Sequence, residues 1–298
     1  GMPKGIVHTH RQRADWTYDV AAALRYDPAC RTAVVVGLHS NISWVCMLAT
    51  YLLGGTLYVE KAYDPAAFFA RVRDEGVSHT SMVPLMVQRL LDVWPDNPDD
   101  HAALKSIMCS GSPLPVGLKA EVLERLGGVL IELYGSTEGV ATTLVPEDAP
   151  GRLASVGKPP QGADILILGN DDRPLPNGEA GEIVGRARFM MDGYWNRPDA
   201  TAEATWIDPQ GRPWLRTGDI GRLDEEGFLY VVDRKKDMIL RGGYNVYPAD
   251  IEAVLFEHPG VAECAVVGAP SGKWGETPVA FVVPASGAAI DAEALKAW

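Results

Sequence analysis

Between Ala14 and Leu126, short apolar runs alternate with helical stretches, and that alternation constrains the chain more than any other feature. "TAVVVGL" and "GTLYVE" read as buried strands, apolar without a polar face. "PAAFFARVRDEG" and "PVGLKAEVLERLG" read as helices that begin near Pro and end at Gly. "KSIMCSGS" and "GVLIELYGS" are apolar runs that enter Gly-Ser turns. The pattern predicts an α/β layer over residues 1–144 with a largely parallel sheet. Ligands of such sheets sit at the carboxyl ends of strands, which directs attention to "CSGSPL" and "LYGSTEG".

Thr32 to Val59 carries no Asp, Glu, Lys or Arg and is long enough to span a bilayer. His39, Asn41 and Gly54-Gly55 divide it instead into a strand (Ala33–Val36), a buried helix (about Ser43–Leu53) and a second strand (Thr56–Val59). No transmembrane span is expected, and peripheral contact with a membrane stays open. From about Val145 to Tyr230 helices are expected to vanish, and Pro, Gly and Asp become frequent. Residues 145–235 therefore predict an antiparallel, barrel-like β region built from strands such as "ADILILG", "GEIVGRA" and "GFLYVVD". Residues 236–298 predict a partial small α+β domain: a helix from Pro248, strands Val261–Val267 and Pro278–Val283, and a last helix in "DAEALKAW".

A formal net charge of −12 argues against a nucleic-acid surface, which needs clustered Lys and Arg, but leaves room for small anions. Cys30, Cys46, Cys109 and Cys264 fall at no metal or redox spacing, so a reduced, cytoplasmic setting is expected. His8-Thr9-His10 lacks the Cys or carboxylate partners that a zinc site needs.

Three stretches carry chemistry. In "YGSTE", a strand end presents Gly135, Ser136 and Thr137, whose N–H and hydroxyl groups suit a phosphate. Tyr134 offers a ring for a base, and Glu138 a carboxylate for Mg²⁺. In "LRTGDIG", Asp219 follows a Gly turn, where it can accept from ribose hydroxyls or simply close an Asx turn. "DRKKDMILRGGYN" concentrates Arg234, Lys235, Lys236 and Arg241 in an acidic chain, either as a solvated run or as a hinge beside an anion.

Pro-Lys-Gly, "SGSPL", "YGSTE", "GEI", "GYWNRPDAT", "RTGD", "DRKKD" and "RGGYNVYP" occur in one order across nearly the whole chain. This set closely resembles the adenylate-forming (AMP-binding) superfamily, in its acyl-CoA synthetase branch. The resemblance implies that a carboxylic acid (fatty, medium-chain or aromatic) is activated by ATP with Mg²⁺, and that the acyl group then passes to CoA. It places Lys4 in the phosphate loop. Gly111, Ser112 and Pro113 fall on one face of adenine and Tyr134 on the other, beside Gly135 and Ser136. Thr137 matches the α-phosphate contact, Glu138 the Mg²⁺ ligand, Asp219 the ribose carboxylate and Arg234 a second nucleotide contact. Lys236 falls at the hinge between residues 1–235 and 236–298, and Gly242 and Gly243 beside the CoA tunnel.

Amino-acid-activating relatives carry an Asp near the position of His39, so an amino-acid substrate loses its counter-ion here. His39 either borders the acyl pocket or caps the following helix. Gly1 matches the last glycine of a phosphate loop whose front lies upstream, and a late Lys of the family lies downstream. The resemblance thus implies an internal fragment of a longer synthetase, inactive alone. A module that loads a carrier protein and a non-catalytic nucleotide-binding fragment are the rival readings.

Overall fold

The computed structural model describes residues 4–242 and 244–298. Two compact units partition the chain. One comprises Gly1–Leu166, Val184–Thr217 and Asp224–Tyr230; the other comprises Ile167–Ile183, Gly218–Leu223 and Val231–Trp298.

The first unit opens with β1 (Ile6–Val7) and α1 (His10–Ala23). It then alternates through β2 (Arg31–Val34), α2 (Asn41–Leu53), β3 (Thr56–Val59), α3 (Pro65–Glu75), β4 (His79–Met82), α4 (Pro84–Asp92), β5 (Ser106–Cys109), α5 (Val116–Leu126), β6 (Leu130–Ser136) and β7 (Val140–Leu144). Helix ends follow local chemistry. Thr9 and Gln12 close a reciprocal capping box on α1. Ser40 caps α2, and Asp64 with Pro65 starts α3. α2 and α3 stop at Gly54 and Gly76, both in the left-handed conformation that spares glycine a steric penalty.

The six strands from β2 to β7 form a sheet of order β3-β2-β4-β5-β6-β7, parallel except for the antiparallel β6–β7 pair. Alternate side chains of the central strands feed two cores. Ile107 and Cys109 of β5 join Phe68, Phe69, Val72, Leu90 and Val122. Met108 joins Trp16, Val20, Leu24, Val45 and Ile131. All four cysteines are free. Burial pushes the Cys46 thiol up to about 11 and the Cys109 thiol up to about 12, so both serve as small apolar side chains.

Next come β8 (Asp164–Leu168), β9 (Gly181–Arg186), β10 (Gly193–Tyr194), α6 (Pro198–Glu203), β11 (Thr205–Ile207), β12 (Pro213–Leu223) and β13 (Leu229–Arg234). Five of these strands form a sheet of order β11-β12-β9-β8, with β13 paired to β12. The boundary between units cuts through β8, β9, β12 and β13. β10 pairs instead with β1. The expected lack of helix between Val145 and Tyr230 is not met, because α6 forms where Pro198 presets the first turn. Thr201 Oγ1 donates back to the Arg197 carbonyl at 2.9 Å.

The second unit adds β14 (Ile239–Arg241), β15 (Tyr244–Val246), α7 (Pro248–Phe256), β16 (Val261–Ser271), β17 (Gly275–Pro284) and α8 (Ala292–Lys296). Its four-stranded sheet has order β15-β14-β17-β16. Ile239, Leu255 and Val266 form its small core. Among the described residues no helix is long and apolar enough to cross a membrane.

Strand β4, "HTSM", is wholly buried although three of its four residues are polar. Thr80 Oγ1 donates to the Ala33 carbonyl at 2.9 Å. The His79 ring stacks on Tyr26 and meets Ser78 Oγ at 2.8 Å and the Arg25 carbonyl at 3.1 Å. A carbonyl only accepts, so Nε2 carries the hydrogen and Nδ1 accepts from Ser78. Burial holds His79 below its ordinary value of 6.5, against the opposing pull of the Arg25 carbonyl and Asp27. The unfolded chain therefore binds a proton near 6.5 that the folded chain refuses until lower pH, and stability falls as pH drops through that window. Thermal melts between pH 7.5 and 5 should show a falling Tm, with a shallower slope in His79→Gln; equal slopes would assign the titration elsewhere.

Candidate nucleotide site

Parallel strands β2, β4, β5 and β6 send their carboxyl ends to one edge of the sheet. Strand β6 runs into Tyr134-Gly135-Ser136, and β7 returns antiparallel with Gly135 opposite Ala141 and Ser136 opposite Val140. The turn between them is Thr137-Glu138-Gly139, closed by the Gly139 N–H donating to the Ser136 carbonyl at 3.2 Å. A side chain on Gly135 would sit 2.4 Å from the Val140 carbonyl oxygen. Gly139 has φ +117°, and a Cβ there would meet Met190 Cα at 2.6 Å. Both positions thus require glycine for this hairpin to form.

Three contacts fasten the turn. The Met191 N–H donates to the Glu138 carbonyl at 2.7 Å. The Tyr194 hydroxyl donates to Glu138 Oε1 at 2.8 Å. His8 Nε2 lies 2.9 Å from the Thr137 carbonyl and must be the donor. Tyr194 lies on β10, whose ladder with β1 pairs Ile6 with Tyr194 and Val7 with Gly193. Burial pushes the Tyr194 phenol well up, and its bond to the Glu138 carboxylate adds to this, so it stays a donor at neutral pH. The exposed Lys4 ammonium rests 4.4 Å from the centre of the Tyr194 ring. Sequence reasoning missed His8 and Tyr194. Tyr194 stood inside the quoted "GYWNRPDAT", whereas His8 lies 129 residues from its partner and carried no local signal.

Behind the turn, Glu132 of β6 pairs with Lys119 of α5, both almost fully buried. Burial pushes the Glu132 carboxyl up, and Lys119 pulls it back. Lys119 also donates to the Ser155 carbonyl at 3.0 Å.

Gly111, Ser112 and Pro113 form an exposed turn after β5. Gly111 has φ +102°, and a Cβ there would approach Ile42 Cδ1 to 2.9 Å, so α2 closes on this turn. His39 is exposed, and its ring lies over Gly37. Ser40 supplies the cap of α2, accepting from the Ile42 N–H at 3.2 Å, so the capping reading of His39 is overturned. Gly1, Met2 and Pro3 lie outside the described residues.

In the second unit, Asp219 is buried on β12, and Arg234 closes β13. Arg234 Nε meets Asp219 Oδ1 at 2.9 Å. The basic run separates into distinct partnerships. Lys235 Nζ donates to Glu182 of β9 at 2.9 Å. Lys236 is exposed, 3.9 Å from Asp237, and Arg241 lies over the Trp274 ring. Gly242, at φ +60°, donates its N–H to the Trp274 carbonyl at 2.8 Å. Gly243 lies outside the described residues.

No group of three or more His, Cys, Asp or Glu able to hold a metal occurs among the described residues. A single partly exposed carboxylate, Glu138, is of the donor type that suits Mg²⁺, which takes one or two carboxylates and completes its shell with phosphate and water.

The AMP-binding enzyme family matches residues 1–195, and the AMP-binding enzyme C-terminal domain matches residues 250–298. This chain belongs to the AMP-binding enzyme family. This AMP-binding enzyme chain is 37% identical over 305 residues to a feruloyl-CoA synthase of Amycolatopsis sp, covering all of this chain and 60% of that protein. The amide bond synthetase McbA from Marinactinospora thermotolerans superposes with a TM-score of 0.88 at 33% identity, over 100% of this chain and 59% of that one. The o-succinylbenzoate CoA synthetase from Bacillus subtilis, solved with an acyl-adenylate intermediate, superposes with a TM-score of 0.87 at 32% identity, over 99% and 59%. The chain thus spans about six-tenths of the length of these relatives.

The buried pair behind the turn yields a stability test. Lys119→Met strands the Glu132 carboxylate and should cost about 3–5 kcal/mol. Lys119→Met with Glu132→Leu should recover most of that loss, because apolar replacement of both partners removes the stranded charge. Urea denaturation of the three proteins checks this; a double variant no more stable than the single one would contradict it.

Proposed function

We propose that the protein carrying this chain activates a carboxylic acid (fatty, medium-chain or aromatic) as its acyl adenylate and passes the acyl group to CoA. In the first half-reaction a carboxylate oxygen attacks the α-phosphorus of ATP, and pyrophosphate leaves. In the second, the CoA thiol attacks the acyl carbon, and AMP leaves with the bonding electrons. The observation that carries this reading is the fastened turn Gly135–Glu138, with a partly exposed Thr137 and a carboxylate held by Tyr194.

Within it, Gly111, Ser112, Pro113 and Tyr134 are assigned to adenine, Asp219 to ribose and Arg234 to a second nucleotide contact. Ser136 and Thr137 donate to the phosphates, and Lys4 belongs to the phosphate loop. Both reactants of the first step are anions, so donors aimed at the phosphates are what lowers the barrier. Mg²⁺, held by Glu138, would supply charge neutralisation on the triphosphate. His39 is assigned to the acyl pocket, Lys236 to the hinge, and Gly242 and Gly243 to the CoA tunnel. The names of the feruloyl-CoA and o-succinylbenzoate-CoA synthetases support an acid–CoA reading. The amide bond synthetase shares the fold with a different product, so the acceptor is tested separately.

Acid-dependent exchange of pyrophosphate into ATP, measured on the protein from its natural coding sequence, tests the first step. Exchange is expected with aromatic or fatty acids and not with amino acids. Glu138→Gln should lower it by about 10²-fold, the scale of losing one electrostatic contact to the transferring phosphoryl group. Unchanged exchange at limiting Mg²⁺ would remove Glu138 from the site. CoA-dependent release of AMP then tests the acceptor.

A further inference from the structure

We infer that His8 is a positioning residue for the phosphate-binding turn, an inference that rests on the nucleotide reading above. His8 follows β1 and stands before the cap of α1, Thr9. Its Nε2–H donates to the Thr137 carbonyl at 2.9 Å. It is partly buried, and its Nδ1 is buried without a hydrogen-bond partner among the described residues. One nitrogen of the ring is therefore committed to the turn, and the other is left unsatisfied.

A buried polar atom without a partner costs free energy, and the bond made by Nε2 offsets that cost. That bond acts on the peptide joining Thr137 to Glu138. Rotation of this peptide would redirect the Glu138 N–H and shift the Thr137 side chain. The Met191 bond grips the next peptide, between Glu138 and Gly139. The two bonds together hold successive peptides of a turn with no strand pairing of its own. Gly139, the turn's third residue, is the freest backbone in the segment, so without both grips the turn has alternatives to occupy. Arg13, Asp192 and Glu138 are the charged groups that bear on the ring. Burial keeps it on the neutral side, and a neutral ring suffices for the bond.

The role makes a distinction that a merely structural residue would not. His8 should matter to a ligand that carries a phosphate and not to one that lacks it. Calorimetric titration of the 298-residue chain with AMP and with adenosine reads this directly. His8→Leu should weaken AMP binding about tenfold, the worth of one hydrogen bond with its geometry, and leave adenosine affinity unchanged. Glutamine places an amide N–H where Nε2 stands, and asparagine is too short to reach. His8→Gln should therefore stay near the parental AMP affinity while His8→Asn falls with His8→Leu. The Gln–Asn comparison keeps the test decisive if the leucine variant does not fold. AMP and adenosine weakened equally, or AMP unaffected in a folded His8→Asn, would overturn the positioning role. A parental chain that binds neither ligand would overturn the nucleotide reading itself, and this inference with it.

Discussion

The backbone of the turn after Ser136 is the constraint on which the candidate site depends. Gly135 must lack a side chain because the Val140 carbonyl occupies that space, and Gly139 must lack one because Met190 does. These close approaches bring β7 and the Phe189–Tyr194 segment hard against the turn. They put Met191 N–H, the Tyr194 hydroxyl and, through the β1–β10 ladder, His8 within bonding distance of Thr137 and Glu138. Steric exclusion sets the distance, and hydrogen bonds then choose one peptide orientation.

Charge is arranged around this turn with the same economy. Glu132 and Lys119 neutralise each other's charge behind it, where an unpaired charge would be costly, and their pairing ties β6 to α5. In front, Glu138 keeps its carboxylate in contact with a phenol rather than a cation. A donor without charge orients the carboxylate and leaves its negative charge in place. In the second unit the reverse holds. Asp219 is paired with Arg234 and Glu182 with Lys235, so each buried carboxylate of that segment meets a cation supplied by one short basic run.

Much of the fold was legible because apolar runs and helix-ending glycines are local signals. β2, β3, β5, α2, α3 and α5 announce themselves in their own residues. β4 does not: "HTSM" is polar, and its burial is helped by the Ala33 and Arg25 carbonyls, which receive Thr80 and His79. α6 is six residues long, too short to show a period among turn-forming residues. The site divides the same way. Tyr134–Glu138, Gly111–Pro113 and Asp219 lie in recognisable strings. His8 and Tyr194 reach the turn only through tertiary pairing, which no spacing in the sequence reports. The basic run looked uniform, yet its members face different partners, because β13 ends within it and each successive residue leaves in a new direction.

The Gly135–Glu138 turn is proposed to receive the phosphate of an adenylate. A crystal structure of the 298-residue chain with a hydrolysis-resistant acyl-adenylate analogue tests it most directly. The phosphate mimic is expected within hydrogen-bonding distance of Thr137, with the His8–Thr137 and Tyr194–Glu138 bonds intact. An analogue bound away from this turn, or bound with the turn refolded and both bonds broken, would contradict it.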